Sequence, residues 1–132
     1  MSNGMNRNTS VGTVLSLEGK MDWNTKENKQ LVNAILSLAN TDEAERFLRD
    51  LMTAGEIEEF GKRLEAARLL SKEVQYSAII ESTGLSSTTI ARISKWLKGS
   101  LGGYRLILSR LSNNDLHHNN STKLGKGLSL RL

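Results

Sequence analysis

No proline occurs anywhere in this chain of 132 residues. Proline fixes φ, lacks an amide proton and breaks helix interiors, so its absence removes one common class of turn and lets helices run uninterrupted. Between Thr25 and Leu111 the apolar residues recur at spacings of three and four, the period of one helix face. Strand-like alternation is nowhere convincing, and the fold class expected is all-α. Apolar residues make up 38 % of the chain and aromatics 5 %, a supply better suited to thin helices than to a deep sandwich. The length fits one domain.

The periodicity and capping residues divide the chain. Leu31, Ile35, Leu36 and Leu38 follow Thr25 on one helix face. Thr41 is expected to cap a second helix, with Asp42, Glu43 and Glu45 in its first turn and Phe47, Leu48 and Leu51 as its buried stripe. Thr53-Ala54-Gly55-Glu56 fits a capping box and leads into Ile57, Phe60, Leu64, Ala67 and Leu70, the helix ending near Ser71. A shorter helix covers roughly 74–82. Gly84 breaks it, and Ser86 caps the next helix through Lys98. Gly99, Gly102 and Gly103 link to a final helix, Tyr104 to Leu111. Residues 1–20, rich in Ser, Asn, Gly and Thr, read as a disordered leader, or as a segment upstream of a start at Met21. Residues 112–132 read as a disordered tail that cannot bury enough apolar surface to offset its ordering entropy. The helical domain expected is therefore 21–111.

The formal net charge is +4, which alone is a weak hint of an acidic partner. Its distribution says more. Residues 21–85 carry eight Lys and Arg against twelve Asp and Glu, a net of −4. Residues 86–111 carry Arg92, Lys95, Lys98, Arg105 and Arg110 and no acid, a net of +5. Such a split is expected when one segment meets phosphate and the other does not, although a solvated helix face would have the same composition.

The basic block begins at the second helix of a helix-turn-helix pattern, about 74–98. That unit needs a short first helix, a tight turn and a second helix with an inward apolar stripe. Ile79 and Ile80 belong to the first helix, Gly84 supplies a positive φ, Leu85 plugs the turn, and Ile90, Ile93 and Leu97 face the core. Ile80 occupies a position often filled by a small residue where the helices cross, so a looser crossing is expected. The opposite face presents Thr88, Arg92 and Lys95, flanked by Ser87, Thr89 and Ala91. Small polar residues and arginine at the start of such a helix approach base edges in the major groove. Ser87, Thr88, Thr89 and Arg92 are thus the candidate base readers, and Lys95, Lys98 and Arg105 the candidate phosphate contacts of a double-stranded DNA complex. An ordinary αα-hairpin has the same apolar spacing.

Four runs carry a resemblance: Glu58-Glu59-Phe60-Gly61-Lys62-Arg63-Leu64, Thr83-Gly84-Leu85-Ser86, Thr89-Ile90-Ala91-Arg92 and Gly102-Gly103-Tyr104-Arg105. Over about residues 25–111 the chain resembles the Trp-repressor-like proteins of the YerC/YecD family. The resemblance implies a six-helix subunit, an intertwined homodimer, and two heads meeting successive major grooves to regulate transcription, most simply as a repressor. In the Trp repressor, tryptophan is held as corepressor between two arginines beside a glycine and a serine. Arg63 and Arg92 stand at the matching arginine positions, while Ile93 replaces the glycine and Trp96 the serine. A β-branched side chain and an indole there should fill the space the ligand ring requires, so the resemblance implies a blocked pocket. Trp96 packed against the final helix would leave that pocket equally doubtful.

Other chemistry finds little support. Without cysteine there is no thiolate ligand, nucleophile or disulfide. His117-His118 has only Asp115 close by, too few ligands for a structural zinc site. Glu56, Glu58 and Glu59 suit a helix N-terminus, where acids are stabilised. The Gly99–Gly103 cluster lacks the spacing of a phosphate loop. No enzyme activity, cofactor or membrane span is expected, no small-molecule effector is implied, and with no export signal near Met1 the expected location is cytoplasmic. Two rivals to DNA binding are a helical protein-interaction module and an RNA-binding protein. Few aromatics outside Trp96 and Tyr104 are available to stack on single-stranded bases.

Overall fold

The computed structural model describes the backbone of residues 20–130 and side chains as far as His117. The expected leader lies outside this range except for Lys20. The described residues form six α-helices: α1 (Lys26–Leu36), α2 (Thr41–Leu51), α3 (Ala54–Ser71), α4 (Tyr76–Thr83), α5 (Ser87–Lys98) and α6 (Gly103–Leu130). The all-α expectation holds. The chain divides between Leu48 and Arg49 into two units, which are described separately.

In the first unit Thr25 caps α1, its hydroxyl accepting from the Asn28 amide at 3.2 Å. The cap of α2 is Asn40 rather than Thr41. Asn40 Oδ1 accepts from the Glu43 amide at 3.0 Å, and Glu43 reaches back to the Ala39 amide at 2.8 Å. Asparagine caps at least as well as threonine, and starting one residue earlier keeps Glu43 in the first turn. Neither α1 nor α2 contains a buried residue. The stripes expected to be buried are largely open: Ile35 is 54 % exposed, Leu36 76 % and Leu51 51 %.

The second unit holds the core. Thr53 and Glu56 form the expected capping box at the start of α3. At its other end Val74 N–H donates to Leu69 O and Glu73 N–H to Leu70 O, with Glu73 at φ 61°. This is the Schellman closure, here with a non-glycine residue in the left-handed position. Val74 closes it and packs on the core, so α4 starts at Tyr76 and not at the expected Val74. Ala66, Ala67, Ile79, Leu85, Ile90 and Ile93 are buried together, with Leu69, Leu70, Tyr104 and Leu108 packed against them. Helix α3 is the platform against which α4, α5 and α6 all pack. Ile80, expected at the helix crossing, is 37 % exposed, and fully buried Ile79 takes the inward position. Helix α6 extends to Leu130, where Leu111 was the expected end. No proline removes an amide donor along it.

Candidate nucleic-acid interface

A tight, fully bonded turn sets the two reading-head helices. Helix α4 ends on Gly84 at φ 74°, whose amide donates to Ile80 O at 2.8 Å. A side chain at that φ meets its own backbone, and glycine avoids the conflict. Thr83 is buried, and its hydroxyl donates to Ile79 O at 2.6 Å while accepting from the Leu85 amide at 3.3 Å. Leu85 is then held in the core as the expected plug. Ser86 caps α5, accepting from the Thr89 amide at 3.1 Å and donating to Thr89 Oγ1 at 2.9 Å.

Helix α5 has two sides. Ile90, Ile93 and Ser94 are buried, and Leu97 is half-buried beside them. Ser94 was missed by the sequence reading, although it falls on the inward arc between Ile90 and Leu97. A serine there, with Ala66 and Ala67 on α3, keeps side chains short where the helices pack. Thr88, Arg92 and Lys95 are exposed on the opposite arc, flanked by exposed Ser87, Ala91 and Lys98. No acid stands in the first turn, and Lys95 and Lys98 lie in the last. The fold thus brings Ser87, Thr88 and Arg92 onto one open cationic face with the two lysines. Thr89 differs: it is half-buried and its hydroxyl is bonded to the cap.

Beyond α5, Gly102 at φ 71° turns the chain into α6. Arg105 folds back across it, and its guanidinium donates to the carbonyl of Leu97 in the last turn of α5. A Cβ on Gly102 would come within 3.1 Å of that guanidinium. The cation sits where the α5 dipole is negative, and four of its five N–H donors are left for other partners. Sequence reading had given Arg105 only a phosphate role. Its tether to α5 was invisible because the Gly-rich link sets their distance.

The positions matched to a corepressor pocket differ in exposure and in partners. Arg63 pairs with Glu59 at 3.4 Å and lies 5.6 Å from the centre of the Phe60 ring. Burial pushes the Tyr104 hydroxyl above its ordinary pKa, and the nearby Arg63 charge opposes that shift. Ile93 is fully buried in the core, whereas Trp96 is 45 % exposed.

No described helix is long and apolar enough to cross a membrane. The chain is 41 % identical over 86 residues to the uncharacterized protein YerC of Bacillus subtilis, an alignment covering 65 % of this chain and 83 % of that one. A crystal structure of a TrpR-like protein from Eubacterium eligens superposes with a TM-score of 0.65 at 38 % identity, covering 68 % of this chain and 93 % of that chain. A solved chain from Staphylococcus aureus gives a TM-score of 0.65 at 30 % identity, covering 70 % and 96 %. The sequence profile of the Trp repressor protein family matches residues 26–112, a span that contains α1 to α5 and the start of α6. With its sequence relatives, its six helices and its bonded helix-turn-helix all in agreement, the chain belongs to the Trp repressor family.

Proposed function

We propose that this protein is a sequence-specific, double-stranded DNA-binding transcriptional regulator, acting as a homodimeric repressor without tryptophan as corepressor. The observation that carries the reading is the acid-free outward arc of α5, which carries Ser87, Thr88, Arg92, Lys95 and Lys98 on a turn fixed by Thr83 and Gly84. Arg92 and the small hydroxyls beside it read base edges. Lys95 and Lys98 meet phosphate, and Arg105 joins them through the donors not given to Leu97. Thr89 contributes through its methyl group, since its oxygen serves the cap. The decisive experiment is a selection of bound sequences from a random duplex pool. A palindrome with half-sites about one helical turn apart is expected for two heads on a two-fold axis. Duplex binding that is insensitive to salt, or stronger binding to structured RNA, would overturn the reading.

Dimerisation is supported by α1 and α2, helices of 11 residues each with nothing buried in the single chain. Isolated helices of that length are marginal in water, so their apolar faces need a partner. The absence of a tryptophan requirement is supported by Ile93, whose side chain is built into the core and is not free to yield to a ligand ring. Calorimetry with free tryptophan is expected to show no heat. Binding in the micromolar range would sink this part of the proposal.

A further inference from the structure

The indole of Trp96 has no role in the core, the caps or the proposed readout. It is 45 % exposed, so nearly half of its surface is open to a partner. It lies one turn beyond Arg92, and i, i+4 positions share a helix face. Its other neighbours in sequence are Lys95 and Lys98, the two cations of the last turn. Among the described residues its Nε1–H meets no acceptor, and an indole N–H is a donor only. The group is therefore a flat apolar surface with a donor at its edge, set one turn beyond a candidate base reader and flanking the side that carries Lys95.

We infer that Trp96 is itself part of the DNA contact: its ring lies against deoxyribose at the groove wall and its Nε1–H donates to a phosphate oxygen. This rests on the DNA-binding reading above and adds to it a neutral backbone contact beside the charged ones. Several properties of α5 favour this occupant over a peptide. The surrounding face carries no carboxylate that would repel phosphate. The first half of a reading helix enters the groove while its later turns pass the backbone, and Trp96 stands in the third turn of α5. Neutral side-chain donors such as tyrosine are routine phosphate partners that position the protein without reading sequence, and the indole Nε1–H is a donor of the same kind.

The chain has two tryptophans, Trp23 and Trp96, so Trp23→Phe leaves Trp96 as the sole indole reporter in the full-length protein. On titration with the selected duplex, its emission should change and its quenching by acrylamide should fall. In the same background Trp96→Ala should weaken duplex binding about tenfold, since a hydrogen bond to a charged acceptor is worth at least a decade. A neutral group releases no counterion, so the slope of log affinity against log salt should stay unchanged, unlike that of a lysine variant. Trp96→Phe, which keeps the ring and removes the donor, should recover part of the loss and controls for folding. If the parent binds duplex while Trp96 stays equally open to acrylamide and Trp96→Ala binds as tightly, the inference is wrong and the DNA reading stands. If the parent binds no duplex, both fall together.

Discussion

At the residue scale the face of α5 separates charge from information. Arg92 has no acid partner among the described residues and is free to pair bidentately with guanine O6 and N7. Arg92→Ala is expected to cost about 1–3 kcal/mol of operator binding and to relax preference at one base position. Equal losses on operator and random duplex would show that it touches phosphate instead. Lys98 is the complementary case. Lys98→Ala should weaken binding to every duplex and lower the salt slope by about one, and an unchanged slope would remove its phosphate role. Arg105 adds a structural tether to its phosphate role, because it also holds the Leu97 carbonyl.

The same scale contains one pH effect. The Thr53 amide and hydroxyl both donate to the Glu56 carboxylate and hold its pKa below the ordinary value. A carboxyl depressed in the folded state stabilises above its unfolded pKa, and that contribution is lost as pH falls through the folded one. The capping box should therefore weaken on acidification below the ordinary carboxylate range. Thermal melts of the parent and of Glu56→Gln should converge at low pH and separate near neutrality. A constant gap would show that the carboxylate charge is irrelevant.

At the scale of the element, two left-handed positions give opposite expectations. Gly84, at φ 74°, closes the turn of the reading head, and Gly84→Ala should destabilise by about 1 kcal/mol or more. Glu73, at φ 61°, closes α3 by the same geometry but has a side chain. Glu73→Gly removes the conflict between Cβ and backbone, so it should be neutral or stabilising in chemical denaturation. A loss there comparable to that at Gly84 would mean that the strain is not where φ places it. Only one of these turns was legible beforehand. Gly84 was readable because glycine at that point of the pattern has one main use. The α3 closure was not readable, since glutamate gives no local sign of a positive φ and only the Leu69 and Leu70 carbonyls reveal it.

At the scale of the molecule the chain holds a compact core in the unit from Arg49 onward and two helices that bury nothing. Burying apolar area contributes roughly 25 cal/mol per Å², so the open faces of Ile35 and Leu36 are a large driving force for association. Sedimentation should give a dimer, with the melting temperature rising with protein concentration. A monomer whose α1 and α2 remain helical would contradict the proposed assembly.

The sequence by itself determined the helices, the box at Thr53, the plug at Leu85 and the inward stripe of Ile90 and Ile93. These follow from periodicity and short-range hydrogen bonds, which act within about four residues. It also placed the basic block from the start of α5 into α6, because charge is a property of composition. Tertiary structure decided which apolar faces are covered: Ile79 enters the core while Ile80 does not, and the stripes of α1 and α2 stay open. It also decided that Arg105 reaches back to Leu97 and that Trp96 remains half outside. Those outcomes depend on how separate helices meet, and a helical period describes one helix at a time.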